Sequence, residues 1–225
     1  MFESNDEIPR TRVKICGLKS LEHARFASGA FADFCGFIFY PKSPRYIKPE
    51  EVGAIISWLE GPKSVGVFVN EEIDEVNNSA LISGVHYVQL SGDESPEYCQ
   101  LMEKDIIKAF RIKSDMSKED IETLIKPYES AVSYFLFDTY AENEFGGTGK
   151  TFDWTVLKDL NTSVPFFVAG GINKDNVSKA IELANPFGVD VSGSLEVVKG
   201  EKDFDKMAEF FEVIQDIWLD QEIED

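Results

Sequence analysis

Short stretches rich in β-forming residues recur along the chain, and a helix-like segment follows each of them. This alternation restricts the fold most, because neighbouring parallel strands need a long crossover between them, usually a helix. The predicted strands cover residues 13–16, 34–39, 64–69, 86–90, 106–112, 133–138, 165–169 and 187–191. Eight strands that alternate with helices predict a single α/β domain, a closed (βα)8 TIM barrel. An open doubly wound sheet is the structural alternative.

Helix start signals stand between the predicted strands. Ser, Asn or Asp followed by Pro or acidic residues is typical of an N-cap and a first turn. The predicted starts are Ser20, Pro49, Asn70, Ser95, Ser117, Asp153 and Asn173, and a last helix with one apolar face covers 204–218. No Pro/Gly/Ser-rich linker divides the chain. We therefore expect a polar N-terminal extension at 1–11, the barrel at 12–220 and an acidic tail at 221–225.

Polar residues alternate with apolar ones inside four of these strands. Lys14 and Cys16 share one face of their strand, and Gln89, Asp138 and Asp190 take the same kind of position in theirs. Side chains alternate across a strand, so one face packs under the helices and the other lines the barrel lumen. Because barrel enzymes build their sites at the carboxyl ends of the strands, this pattern predicts a polar site there.

Charge and cysteine content restrict the partners and the compartment. The net charge of −19 argues against nucleic acid or an anionic membrane as the main partner, since binding phosphate backbones requires a positive surface. Three cysteines without a C-x-x-C motif indicate a reducing compartment. The first twelve residues are polar and no apolar run is long enough to span a bilayer. The expected location is the cytoplasm.

The sequence contains neither a complete P-loop nor histidines with metal-ligand spacing. The segment 146–151 (GGTGKT) is similar to a P-loop, but Glu144 stands where the motif needs its first Gly. It is interpreted as a flexible loop after a strand, with a lid as one possible role. His23 and His86 are the two histidines, and neither has metal-ligand spacing. We expect no metal and no cofactor.

Two small-residue segments after the last strands point to phosphate. Ala169-Gly170-Gly171-Ile172-Asn173 follows a strand and precedes a helix, and Asp190-Val191-Ser192-Gly193-Ser194 ends the next strand. Adjacent glycines let the backbone approach a ligand, and backbone N–H groups near a helix start attract anions. The loops after strands seven and eight are the usual phosphate site of barrel enzymes.

Several segments, in order, resemble the phosphoribosylanthranilate isomerase family of tryptophan biosynthesis. The resemblance runs from Arg12 to about Lys202, and its segments are VKICGL at 13–18, GFIFYPKSPRY at 36–46, VGVFVN at 65–70, VQLSG at 88–92, FGGTGKTFDW at 145–154 and AGGIN at 169–173. It implies a (βα)8 barrel that converts N-(5-phosphoribosyl)anthranilate into its 1-deoxyribulose isomer by an Amadori rearrangement without a cofactor.

The resemblance also implies the catalytic pair. Cys16 is the expected general base and Asp138 the expected general acid. A thiol acts as a base only as thiolate, so its pKa, ordinarily about 8.5, should fall or sit close to ambient pH, and Lys14 on the same strand face is a suitable positive neighbour. Asp138 must instead hold a proton near neutral pH, which burial beside Leu136 favours.

The remaining site residues are expected to bind substrate. By resemblance, Arg45 pairs with the anthranilate carboxylate and Asp190 lies near the anthranilate amine. Gln89 is assigned to substrate binding as well. The ribose phosphate is expected on Gly170, Gly171, Ile172, Ser192, Gly193 and Ser194.

Two positions depart from the family pattern. Ser91 stands where the family usually has His, so a hydroxyl replaces any polar contact of that side chain. The family commonly reads Asp-x-Ser-Ser-Gly-x-Glu, and the corresponding segment here is Asp190-Val191-Ser192-Gly193-Ser194-Leu195-Glu196, in which Ser and Gly are exchanged. A positive φ at Ser194 would be strained, and we expect a slightly shifted turn with the same N–H donors.

Other functions are weighed against this one. Indole-glycerol-phosphate synthase would require catalytic Lys and Glu at strand ends, and a barrel epimerase would require metal-binding His and Asp. Neither set of residues is visible in the sequence. A non-catalytic phosphosugar-binding barrel would keep the glycine pair but would not need Cys16 and Asp138 together. For the isomerase, the expected partner is a phosphosugar substrate, and the expected state is a monomer or a homodimer.

Overall fold

The predicted barrel is confirmed in the computed structural model, which describes residues 10–139 and 151–223. Eight parallel strands close in sequence order, and β1 pairs with both β2 and β8. The strands are β1 Arg12–Cys16, β2 Phe34–Ile38, β3 Lys63–Phe68, β4 Tyr87–Leu90, β5 Asp105–Ile112, β6 Tyr134–Thr139, β7 Phe166–Val168 and β8 Gly188–Val191. Closure excludes the open doubly wound sheet, whose outer strands would keep free edges.

Helices surround the strands. They are α1 Leu21–Gly29, α2 Pro49–Ile56, α3 Ile73–Ser83, α4 Pro96–Cys99, α5 Lys118–Ile125, α6 Val177–Ala184 and α7 Phe204–Ile223. The side chains of Ser20, Ser95 and Ser117 each accept the backbone N–H three residues on, as an N-cap does. Asp153, in contrast, caps only a 3₁₀ turn at Trp154–Leu157. Asn173 also lies outside a helix, since α6 begins at Val177.

A hairpin after β8 was not predicted. It consists of β9 Glu196–Val198 and β10 Glu201–Lys202, which pair antiparallel. Strands of three and two residues are too short to leave a periodic pattern in the sequence. This hairpin contributes to the rim of the site.

The ends of the described chain are attached to each other. The Nε1 of Trp218 donates to the carbonyl of Thr11 at 2.8 Å, and the Nε2 of Gln221 donates to Oγ1 of Thr11 at 3.0 Å. The Arg10 guanidinium lies 4.0 Å from the centre of the Trp218 ring. Residues assigned to the extension and the tail thus pack on the barrel, and α7 runs into the predicted tail.

The two strand faces build two cores, as the alternation predicted. Val13 and Ile15 lie in the layer between barrel and helices, whereas Cys16 and Leu136 belong to the cluster in the lumen. An aromatic cluster closes the amino-terminal end of the lumen, with ring centroids 5.0–6.0 Å apart. Its members are Phe34, Tyr87, Tyr134, Phe167 and Phe187. The lumen is therefore packed at this end, and the site lies at the other.

The glycine-rich loop interpreted as flexible, residues 146–150, lies outside the described residues. None of the helices in residues 10–139 and 151–223 is both long and apolar enough to cross a membrane.

Candidate active site

A cavity of about 420 Å³ opens at the carboxyl ends of the barrel strands. Every site residue predicted from the sequence lines it, although the residues come from four strands, β1, β4, β6 and β8, and from the loops after β2, β7 and β8. They are Cys16, Arg45, Gln89, Asp138, Gly170, Gly171, Ile172, Asp190, Ser192, Gly193 and Ser194. The predicted thiol and carboxyl group thus share one compartment.

Lys14 lies under the floor of this cavity and joins two of its groups. Its Nζ donates to Oδ1 of Asp190 at 2.7 Å, and the Lys14 side chain has no exposed surface. A Cβ on Gly36 would lie 3.0 Å from Sγ of Cys16 and 3.1 Å from Nζ of Lys14, which shows how closely β2 approaches both groups. Burial alone would lower the pKa of Lys14, but its ion pair with Asp190 and its interaction with Cys16 outweigh burial and raise the pKa.

The thiol of Cys16 differs from the expectation. Burial raises its pKa above the ordinary value instead of lowering it, and the neighbouring Lys14 ammonium opposes this only in part. Asp190 adds negative charge that raises the pKa further. Lys14 was expected to lower this pKa, but its charge is shared with Asp190 because the two form an ion pair. In the unliganded protein the thiol form is therefore favoured.

Asp138 behaves as expected. Burial, reinforced by the negative charge of Asp190, raises the pKa of Asp138 to about 7. Its Oδ1 accepts the backbone N–H of Thr139 at 2.7 Å, which holds the carboxyl group at the end of β6. A carboxyl group of this pKa is still partly protonated at neutral pH and can donate a proton.

The glycine pair after β7 forms a sharp turn against Asp138. Gly170 and Gly171 have φ values of +82° and +70°, which only glycine adopts without strain. A Cβ on Gly170 would lie 2.8 Å from Oδ1 of Asp138. The amides of Asn173 and Asn176 both donate to the carbonyl of Gly171 and fix the turn.

The loop after β8 lies beside this turn. Gly193–Leu195 form a 3₁₀ turn, and neither Gly193 nor Ser194 has a positive φ. The exchange of Ser and Gly relative to the family pattern therefore causes no strain at Ser194. The hydroxyl of Ser194 donates to the carbonyl of Ile172 at 2.6 Å, which brings the two predicted phosphate loops together.

The guanidinium of Arg45 pairs with a residue that sequence reasoning missed. Its Nε and Nη2 donate to the two carboxylate oxygens of Glu196 at 2.7 and 2.8 Å, and Nζ of Lys202 donates to Oε1 of Glu196 at 3.1 Å. Burial alone would raise the pKa of Glu196, but the hydrogen bonds and charges of Arg45 and Lys202 outweigh burial and lower it. Lys202 also donates to the carbonyl of Ser192 at 2.9 Å. The hairpin thus anchors Arg45 and the β8 loop in one buried cluster.

Among the residues the structure describes, no group of three His, Cys, Asp or Glu side chains is arranged to hold a metal ion.

The closed barrel, with a thiol and a carboxyl group facing one cavity at the carboxyl ends of its strands, is that of a (βα)8-barrel enzyme. The family model for N-(5′-phosphoribosyl)anthranilate (PRA) isomerase matches residues 13–213. The chain belongs to this family, as the resemblance in the sequence indicated.

Individual relatives agree with the family model. The PRA isomerase of Geobacter metallireducens is 44% identical over 202 residues, covering 88% of this chain and 96% of the relative. That of a Thermoanaerobacter species is 43% identical over 208 residues, covering 92% and 98%. The crystal structure of the Thermotoga maritima enzyme superposes with a TM-score of 0.81 at 37% identity, covering 92% and 99%. A further relative, 34% identical, was solved in complex with reduced 1-(o-carboxyphenylamino)-1-deoxyribulose 5-phosphate, with a TM-score of 0.78 and coverage of 92% and 99%.

Proposed function

We propose that this chain converts N-(5-phosphoribosyl)anthranilate into 1-(2-carboxyphenylamino)-1-deoxyribulose 5-phosphate in tryptophan biosynthesis, with Cys16 as general base and Asp138 as general acid. The observation that carries the proposal is that both groups line one cavity, at the ends of β1 and β6. The pKa of about 7 at Asp138 supports the role of the acid.

The two groups balance the protons of the reaction. The protonated carboxyl of Asp138 gives its proton to the ring oxygen as the bond between that oxygen and C1′ breaks, and the anthranilate nitrogen forms a Schiff base with C1′. The thiolate of Cys16 then removes the proton from C2′, which gives an enolamine. The enolamine gains a proton at C1′ and loses the enol proton, which produces the ketone. The proton that Cys16 took returns to Asp138 through solvent, and both groups are restored.

The cavity offers a place for each end of this substrate. The turns at 170–172 and 192–194 lie side by side, so their backbones can hold the ribose phosphate. Arg45 attracts the anthranilate carboxylate, because its cluster contains two basic side chains around one carboxylate. Asp190, fixed by Lys14, is within the same cavity and is assigned to the amine.

The assay for this proposal follows the loss of freshly made phosphoribosylanthranilate by its fluorescence, across a range of pH. The productive form carries thiolate and carboxylic acid, and it is a minority because the thiol holds its proton more tightly than Asp138 does. We expect kcat/KM to rise through about pH 7 as Asp138 titrates and to fall above the ordinary thiol pKa of about 8.5 as Cys16 titrates.

The rate of alkylation of the free protein by iodoacetamide, measured against pH, gives the thiol pKa independently of turnover. Mass spectrometry identifies the alkylation of Cys16 separately from that of the other cysteines. The midpoint for Cys16 is expected to coincide with the alkaline limb of the activity profile. A midpoint at or below the acid limb would show a preformed thiolate and contradict this assignment. Absence of any turnover of the substrate would refute the proposed function itself.

Arg45→Ala is expected to raise KM by about 10- to 100-fold, because a charge-assisted pair with the substrate carboxylate is lost. Arg45→Lys keeps the charge without the two-pronged geometry and should lie between Ala and the parent. The measurement is a comparison of KM with kcat for each variant.

A ligand that lacks the carboxylate, with aniline in place of anthranilate, is the control for Arg45→Ala. Its affinity should not change in the variant. An equal loss for both ligands would mean that Arg45 acts only by supporting the loop through Glu196.

The compartment and the assembly are also proposals. Cys16, Cys35 and Cys99 are free thiols, which supports a reducing compartment such as the cytoplasm. A relative from Thermotoga maritima is described as dimeric. We expect a monomer or a homodimer here, and sedimentation velocity distinguishes the two; a larger assembly would contradict this expectation.

A further inference from the structure

We infer that the side-chain oxygen of Gln89 is a preformed acceptor for a hydrogen-bond donor of the substrate, and that Ser91 is the positioning residue that holds it in this orientation. The donor is a sugar hydroxyl or the N–H that links sugar and aromatic ring. This inference rests on the proposed function, which supplies the substrate, and it assigns a specific atom and polarity to the β4 side of the cavity.

The amide of Gln89 has one satisfied end and one unsatisfied end. Gln89 is only 5% exposed and lines the cavity at the end of β4. Its Nε2 donates to Oγ of Ser91 at 3.0 Å. Within the described part of the chain, its Oε1 is buried and has no hydrogen-bond partner. A buried acceptor without a protein partner gains a hydrogen bond when a donor of a ligand reaches it, so binding of such a donor is favoured there.

The neighbouring strands do not supply this donor. Gln89 pairs in register with Val67 on β3 and with Ile107 on β5. Both neighbours belong to the apolar cluster of the lumen. These two neighbours offer Oε1 no donor, whereas a ligand in the cavity that Gln89 lines can bring one.

The loop that carries Ser91 is held by a buried ion pair that the proposed chemistry does not use. Nζ of Lys108 donates to Oε2 of Glu94 and to the carbonyl of Gly92, both at 2.8 Å. The carboxylate of Glu94 in turn accepts the N–H groups of Asn70 and Gly92 at 2.8 and 3.0 Å. These bonds fix the turn after β4, so the Ser91 hydroxyl is a stationary partner for the Gln89 amide.

The test measures affinity by calorimetry for reduced 1-(o-carboxyphenylamino)-1-deoxyribulose 5-phosphate and for altered ligands. One altered ligand has an ether oxygen in place of the linking N–H, and each of the others lacks one sugar hydroxyl. Gln89→Met, which has a similar length and no amide, is expected to weaken binding of the unaltered ligand about tenfold. For the one ligand that lacks the donor to Gln89, parent and variant should bind equally, and this arm identifies the donor.

Ser91 is tested with a conservative variant and a matched control. Ser91→Ala should weaken binding about threefold because the amide is then free to rotate, and Ser91→Thr, which keeps the hydroxyl, should restore it. Ser95→Ala removes a hydroxyl that caps α4 on the same loop, so it should lower stability and leave affinity unchanged.

Equal effects of Gln89→Met on the affinity for all ligands, or no effect on any, would overturn the inference. Equal changes of affinity in Ser91→Ala and Ser95→Ala would overturn it as well. Binding of the unaltered ligand and turnover by the parent would leave the proposed function intact in that case. A parent that neither binds this ligand nor turns over phosphoribosylanthranilate would refute the proposed function instead.

Discussion

Cys16→Ser is expected to lower kcat by about 10²- to 10⁴-fold, the usual contribution of a general base, while the protein folds normally. The hydroxyl has nearly the size of the thiol, so the packing of the lumen is kept. Its pKa is far above that of a thiol, so it cannot take the C2′ proton at a useful rate. Steady-state kinetics and calorimetry with the reduced product analogue separate this loss of kcat from any loss of binding.

The matched control for Cys16→Ser is Cys99→Ser, because Cys99 is also a buried free thiol but lies in α4 outside the cavity. We expect its activity to remain near that of the parent. Cys16→Ser with activity near the parent would remove Cys16 as the base. Comparable losses in both variants would indicate a general effect on the fold.

Asp138→Asn is expected to cost activity on the same scale, about 10²- to 10⁴-fold in kcat, because the ring oxygen then lacks a proton donor. The amide has the same shape and can still hold its place at the end of β6. KM for the substrate should change little. A change confined to KM would mean that Asp138 binds the substrate and does not donate the proton.

The same variant has a second, opposite effect on stability. The pKa of Asp138 is raised in the folded protein, to about 7, so the folded state holds its proton where the unfolded chain has released it. The parent therefore loses stability as the pH rises from about 4 to about 7. Above pH 7, Asp138→Asn should be more stable than the parent by about 2 to 4 kcal/mol.

Urea unfolding at pH 4.5 and at pH 8 measures this difference. The gain in the free energy of unfolding should be much smaller at the lower pH, where the carboxyl group is protonated in the folded protein and the unfolded chain, with its Asp pKa of about 3.9, still holds part of its protons. An equal stability change at both pH values would show that the carboxyl group is not titrating in this range and would contradict its role as the acid.

Local patterns carried most of the fold. Each predicted strand overlaps an observed one, because alternation and β-branched residues are local properties of the chain. The serine caps of α1, α4 and α5 were also predicted, since an N-cap bond forms within a few residues. The prediction of a helix start at Asp153 was wrong, because a capping side chain does not by itself make the following residues helical. The residues after Asp153 form a single 3₁₀ turn.

The hairpin and its buried charges were not predictable in the same way. Glu196 lies 151 residues from Arg45 in the chain, and nothing in either local segment indicates the pair. Glu196 stands in the segment compared with the family pattern, and this was the available sign of a role. Lys202 gave no sign before the hairpin placed it beside Glu196 and Ser192.

The sequence by itself determined the eight-fold alternation, the lumen positions of Cys16 and Asp138, and the glycine pair after β7, because these depend on residue type and spacing. Only the tertiary structure decided the protonation of the site. The pKa of a side chain depends on its burial and on charges brought close by the closed barrel. Lys14 lies beside Cys16 in the sequence, but Asp190 reaches it only because β1 pairs with β8. Burial raises the pKa of Cys16, and that contact, which divides the charge of Lys14 and brings in the charge of Asp190, keeps it raised.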